Sequence, residues 1–307
     1  MKLALFDTAD SVARLGIVES PEGATGDAVV VDVTAALPWP HDPDPLTAGW
    51  WRALCRDFET LRPRLHDAVA AGPNLPLDSV TLRAPVLGPT KIVAAASNYG
   101  AHVAEMHDVQ QRTLGRIEPW MMEFDVFLKA PSSIVGPGAA VVLPTEVIEK
   151  GHEVHHESEL VIVVGKGGRN IAVTDALDHV LGFTAGLDIT VRSAADRSKR
   201  KSYDSFSPLG PWIVTTDECG AGDDLDILLT SGLEVRQSVN TADLLTPVPQ
   251  IVSYASSIMT LLPGDVIFTG APPGVGPIAV GEQLEMTISR IGTMSVRVVP
   301  EPTHSRA

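Results

Sequence analysis

The sequence predicts an α+β protein that is mostly β: a mixed, curled sheet with peripheral helices, preceded by a smaller N-terminal α+β unit. Three observations predict it. From Lys91 onward the apolar runs are short, rich in β-branched residues and closed by Gly, Pro or Asp, the pattern of strands joined by turns. No long helices alternate with those strands, which argues against a Rossmann or (β/α)-barrel arrangement. The first 85 residues differ in texture, and prolines cluster around their end at Pro73, Pro76, Pro85 and Pro89.

Taken in order, residues 3–6, 13–18 and 29–33 read as short strands. A Pro-rich stretch, LPWPHDPDP, follows them. Residues 46–71 then carry apolar side chains at three- and four-residue spacing, Trp50, Leu54, Phe58 and Leu61 among them, as on one face of a helix. A boundary at 75–90 divides the chain into a small N-terminal domain, 1–85, and a larger domain, 86–307. In the larger part, strands are expected at KIVAAA, SELVIVVG, GPWIVTT, DILLTSGLEVRQS, GDVIFTG and EQLEMTISRIGTMSVRVV. Helices are expected near 100–107, 173–180 and 249–261, the last stopped by Pro263 and Gly264.

Composition narrows the class. The chain has 307 residues, 44% of them hydrophobic and 20% charged, which suits a folded globular protein. Thirty-eight acids against 23 bases leave a net charge of −15, a field that repels nucleic acid and anionic lipid. Two cysteines, Cys55 and Cys219, make no disulfide framework and fit a reducing compartment. Asp7 and Asp10 interrupt any signal-peptide core, and no window holds the roughly 20 apolar residues of a membrane helix. A soluble, cytoplasmic protein is expected.

Several polar residues sit where apolar ones are the rule. In HHESELVIVVG, Glu157 and Glu159 enter a very apolar run two residues apart, a spacing that puts both carboxylates on one face of a strand. Buried there they need cations, and a hard divalent ion such as Mg²⁺ takes such oxygen ligands; two solvated acids at an exposed strand end is the plain alternative. Asp188 lies in a similarly apolar stretch, GFTAGLDITVR, and supplies a third acid. His102 and Glu105, three apart in SNYGAHVAEMHD, share a helix face. A carboxylate beside an imidazole raises its basicity and fixes its tautomer, as a water-activating base requires, although such pairs also occur on exposed helices. The basic run Arg192, Arg197, Lys199, Arg200 and Lys201 begins four residues after Asp188, so part of it lies near the acids, where it can hold a substrate carboxylate or an oxyanion. His155 and His156 read as loop or supporting residues, because a carboxylate-rich site prefers oxygen. TGAPPGVG, residues 269–276, lacks the Lys of a phosphate loop and reads as a rigid pocket loop in which Thr269 offers a hydroxyl.

In order along the chain, KIVAAASNYGAHVAEM, FLKAPSSIVGP, HHESELVIVVG, GFTAGLDITVR, KSYDSFSPLGPWIVTTDE, SGLEVRQSVNTADLL and LLPGDVIFTGAPPGVGPI resemble the fumarylacetoacetate hydrolase family, over residues 91 to about 300. The resemblance implies a mixed β-strand roll, usually a homodimer, often behind a smaller N-terminal domain. It implies Mg²⁺, in some members Mn²⁺ or Ca²⁺, held by Glu157, Glu159 and Asp188. It implies that His102 and Glu105 activate water, that Arg192 and Lys201 serve the oxyanion or substrate anion, and that Lys129 and Thr269 line the substrate pocket.

Two departures stand out. Ala195 replaces a Gln that the full-length fumarylacetoacetases use as an oxyanion donor, and losing such a donor costs about 10²-fold or more in rate, so fumarylacetoacetate itself is not the expected substrate. The stretch EVIEKGHEVHH before Glu157 is longer and richer in His than the family pattern. The expected function is divalent-metal-dependent hydrolysis of a C–C bond in an acylpyruvate-like 1,3-diketo acid, which suits aromatic catabolism. The same metal site also suits a 2-oxo acid decarboxylase or a 2-hydroxymuconate-type isomerase or hydratase. A non-catalytic metal-binding scaffold is the remaining alternative. Whether residues 103–128 form a closing lid is left open.

Overall fold

The computed structural model describes residues 1–20, 28–117 and 123–302. Its main sheet has twelve strands, mixed in direction. At its centre Ser158–Val164 runs antiparallel to Val180–Leu187 on one side and to Val266–Phe268 on the other. Val266–Phe268 continues in parallel to Ile92–Ala96, which pairs antiparallel with Asp125–Lys129. In the other direction Val180–Leu187 pairs with Ser207–Thr215, and Ser207–Thr215 with Lys2–Asp7. The N-terminal strands Arg14–Glu19, Val29–Asp32 and Asn74–Pro76 extend that edge, so hydrogen bonding is continuous from the first residues into the rest of the sheet.

The period of two in the central strand assigns its two faces. Leu160, Ile162 and Val164 face one hydrophobic cluster, with Phe183, Ile227, Met286 and Met294; Val161 and Val163 face another, with Leu5, Leu15, Trp51 and Phe58. The first cluster is roofed by a five-stranded sheet built from Glu234–Asn240, Asp226–Ser231, Gln283–Ile288, Gly292–Pro300 and Ala140–Leu143. The second lies under the helix Gly49–Ala71, which buries Trp50, Trp51, Leu54, Phe58, Leu61 and Leu65 at the predicted spacing. That helix starts after the expected residue 46, because Asp44 Oδ1 accepts from Leu46 N (2.9 Å) and Asp42 Oδ2 from the Thr47 hydroxyl (2.6 Å), holding a turn instead.

The remaining helices differ from expectation mainly at their ends. Gly100–Leu114 runs past residue 107 and stops at Gly115, whose φ of 69° suits a glycine C-terminal cap. Val248–Ile258 stops short of residue 261, where Met259 turns extended ahead of the Pro263–Gly264 turn. Residues 173–180 form a 3₁₀ helix, Val173–His179, rather than an α-helix; a short link running straight into a strand favours the tighter turn.

One buried acid ties this frame together. Asp265, fully buried, accepts from Thr90 N (2.9 Å), Thr90 Oγ1 (2.7 Å), Lys91 N (3.2 Å) and Leu262 N (2.8 Å), and it pairs with the Lys91 ammonium. It thereby pins the start of Ile92–Ala96 to the turn before Val266–Phe268. Asp265→Ala strands three amides and a cation, so chemical denaturation should show a loss of about 3 kcal/mol or more. A loss below about 1 kcal/mol would contradict this anchoring role.

Candidate metal centre and active site

The site forms where chain passes from a small sheet into the main one. Val154–His156 pairs with Thr190–Val191 and Gly276–Pro277 in a three-stranded sheet, and the next residues join the twelve-stranded sheet at Ser158. Glu157 occupies the junction itself, with its carbonyl accepting from Asp188 N at 2.8 Å. The two glutamates therefore do not lie on one regular strand, as the spacing alone predicts; a change of sheet between them turns Glu157. Their carboxylates converge nonetheless. Oxygen atoms of Glu157, Glu159 and Asp188 all lie within 4.8 Å of one another, and all three residues are buried.

Three cations brace the acids. Lys201 Nζ donates to Glu157 Oε2 (2.6 Å), Asp188 Oδ2 (2.5 Å) and Thr190 Oγ1 (2.7 Å). Arg192 Nη2 donates to Glu157 Oε1 (2.6 Å), and Lys129 Nζ to Asp188 Oδ1 (2.6 Å) and the Phe206 carbonyl (2.8 Å). Among the described residues Glu159 has no basic side chain in contact and accepts only from Gly270 N, at 2.6 Å. That contact needs a glycine, since Gly270 has φ of 103° and a Cβ there would stand 2.7 Å from the Asn98 Cβ.

The acids consequently diverge. Burial pushes the Glu157 carboxyl up, but Lys201 and Arg192 outweigh it and hold the group well below its usual range. Burial, joined by the neighbouring Asp188 and Glu157 carboxylates, pushes Glu159 well above it. The three contacting cations pair with Glu157 and Asp188, and none of them reaches Glu159. A buried all-oxygen donor set with one carboxylate left without a basic partner fits a hard divalent cation.

His102 and Glu105 lie on the helix Gly100–Leu114, with His102 Nδ1 3.3 Å from Glu105 Oε2. Glu105 in turn accepts from Gly274 N at 3.1 Å, so the Pro/Gly loop at 269–276 orients the dyad. His102 is buried and shares a cavity of about 50 Å³ with Glu157, Arg192, Lys201 and Phe127. Small-molecule pockets are commonly about 300–1,000 Å³, so this cavity is small; the dyad helix forms one of its walls. The bidentate pair of Arg112 with Glu153 (2.6 and 3.0 Å) fastens that helix to the chain leading into Val154–His156.

Other predicted residues stand elsewhere. Lys129 lies beneath the acids and is committed to them. Thr269 is buried, its hydroxyl donating to the Leu160 carbonyl at 3.0 Å. His155 and His156 are strand residues, not loop residues, because the small sheet claims their backbone; their rings meet Glu153 (2.8 Å) and Gln237 (3.2 Å), away from the acid cluster. Ala195 lines an outer hollow with Ser193, Lys199 and Tyr203, on a different cavity from the acids. Of the basic run, Arg192, Arg197, Arg200 and Lys201 turn inward and only Lys199 stays exposed.

Sequence reading missed two supports. Gln237 accepts from Ser158 N (2.9 Å) and donates to the Pro272 carbonyl (2.9 Å), joining the Pro/Gly loop to the glutamate segment. Asn98 donates to the carbonyls of Thr246 (3.0 Å) and Thr269 (2.8 Å). Neither sits in a pattern that distinguishes it from a surface amide.

Residues 91–299, spanning the whole acid cluster and the dyad, match the fumarylacetoacetate (FAA) hydrolase C-terminal domain. The chain belongs to the fumarylacetoacetate hydrolase family. Relatives of the family extend the likeness into the N-terminal strands. The maleylpyruvate hydrolase of Aquipseudomonas alcaligenes is 38% identical over 288 residues, 93% of this chain and 96% of that protein. The crystal structure of maleylpyruvate hydrolase from Sphingobium sp. SYK-6, in complex with manganese(II) and pyruvate, is 38% identical, covers 98% of this chain and all of that one, and superposes with a TM-score of 0.81. The 5-carboxymethyl-2-hydroxymuconate delta-isomerase from Mycobacterium smegmatis is 31% identical over 99% of this chain and all of that one, with a TM-score of 0.73. No helix among the described residues is long and apolar enough to cross a membrane.

Proposed function

We propose that the chain is a divalent-metal-dependent hydrolase that cleaves the C–C bond of an acylpyruvate. The observation that carries the reading is the buried cluster of Glu157, Glu159 and Asp188, whose Glu157 lines one cavity with His102 of the His102–Glu105 dyad. The two maleylpyruvate hydrolases, one of them holding manganese and pyruvate, support it.

Glu157, Glu159 and Asp188 would hold Mg²⁺ or Mn²⁺. When bound, that ion supplies Lewis-acid stabilisation of negative charge on a 2-oxo acid. Glu105, beside Nδ1, keeps the proton of His102 on that nitrogen and leaves Nε2 as the base. His102 then takes a proton from water as the water adds to the carbonyl distal to the carboxylate. Arg192 and Lys201 line the cavity and offset the oxyanion that forms. The C–C bond to the methylene breaks, its electron pair passes into pyruvate enolate, and that carbon takes up a proton. The products are pyruvate and a carboxylic acid, which together gain one water. We also propose Lys129 as an internal counter-charge for Asp188 rather than a substrate contact, and a homodimer as the working form.

Purified protein with Mn²⁺ or Mg²⁺ should convert maleylpyruvate to pyruvate and maleate, with a gain of one water in product mass and complete loss of turnover in chelator. An unchanged product mass, loss of CO₂, or full activity in chelator would overturn the proposal.

A further inference from the structure

The acid cluster uses up most of the cations that surround it, and one is left over. Arg192 is committed to Glu157, and Lys201 to Glu157 and Asp188. Arg200 lines the same cavity and is only 5% exposed, yet its Nε is buried without a hydrogen-bond partner and no ion pair forms on its guanidinium among the described residues. Asp196, four residues before it, spends its carboxylate capping the short helix Arg197–Arg200, accepting from Ser198 N at 2.8 Å. Arg197 projects from the same helix three residues earlier, its guanidinium 5.7 Å from the Phe127 ring centroid, and adds a second positive charge to that wall.

Burying a guanidinium without an anion is costly, and proteins seldom leave one so unless a ligand completes it. The planar fork of arginine matches a carboxylate with two parallel hydrogen bonds. We propose that Arg200 receives a second carboxylate at the far end of the acyl group, so that the preferred substrate is an acylpyruvate whose tail ends in a carboxylate. This inference rests on the acylpyruvate reading above and adds the residue that selects the tail. It assigns Arg200 to specificity rather than to bond cleavage.

The test compares wild type, Arg200→Gln and Arg200→Lys, loaded with Mn²⁺, on maleylpyruvate and on acetylpyruvate, whose tail is a neutral methyl group. Removing one partner of a buried charged pair typically costs enough to lower kcat/KM about 10²-fold. Arg200→Gln should show that loss on maleylpyruvate while acetylpyruvate changes less than about threefold; Arg200→Lys should fall between. Equal losses on both substrates, or none on maleylpyruvate, would overturn the assignment. The metal-free Arg200→Gln protein should melt no lower than wild type, because the lost group has no internal partner; a much lower melting point would overturn it by making Arg200 a structural residue. If wild type cleaves neither substrate, the acylpyruvate reading fails separately. Titration with maleate against acetate then decides the subsite: maleate binding weakened at least tenfold in Arg200→Gln supports it, and equal maleate binding by both proteins refutes it.

Discussion

Glu159→Gln is expected to abolish metal-dependent turnover while leaving the metal-free fold intact. Glutamine has the shape of the neutral acid that burial and two neighbouring carboxylates favour at this position, and its amide oxygen can still accept from Gly270 N. The variant therefore separates folding from metal binding, which Asp188→Ala would not, since that change leaves Lys129 and Lys201 buried with one acid fewer. The ion should bind wild type and raise its melting temperature; at 100 times the dissociation constant the stabilisation is about 2.7 kcal/mol. In Glu159→Gln that rise should largely vanish, with the metal-free melting temperature within a degree or so of wild type. An undiminished metal-induced rise would mean that Glu159 is not a ligand.

His102→Ala should give the complementary result. General-base removal typically costs about 10²- to 10⁴-fold, and here the loss should fall on kcat, with the metal-induced rise in melting temperature preserved. The imidazole makes its polar contact with Glu105 alone among the described residues, so its removal leaves the acid cluster and its lysines in place. Glu105→Gln should cost less, because Gly274 N still finds an acceptor and the ring loses only its orienting charge. Turnover of His102→Ala at the wild-type rate would remove the base from the mechanism.

The strands were legible because period-two burial and turn residues are local signals; Leu160 to Val164 alternate between two cores as their sequence suggests. The acids were legible for a related reason, since a carboxylate amid Val, Ile and Leu demands a partner. What sequence could not supply was direction. Nothing local tells that Lys199 faces water while Arg197 and Arg200, on the same short helix, face the cavity, or that Lys129 pairs with Asp188. Those assignments depend on contacts across 59 and 44 residues of chain, as in Lys129 with Asp188 and Lys201 with Glu157. Gln237 was invisible for the same reason: its partners come from the glutamate segment and from the Pro/Gly loop, and neither adjoins it in sequence. The break in strand pairing at Glu157 also escaped, because a change of sheet across one residue leaves the apolar pattern untouched.

Anomalous diffraction at the manganese edge, from crystals grown with Mn²⁺, tests the central claim most directly. A single strong peak per chain, within about 2.0–2.4 Å of oxygen atoms from Glu157, Glu159 and Asp188, is the predicted result. A peak elsewhere, or an empty cluster with the Lys201 contacts intact at saturating metal, would contradict the account.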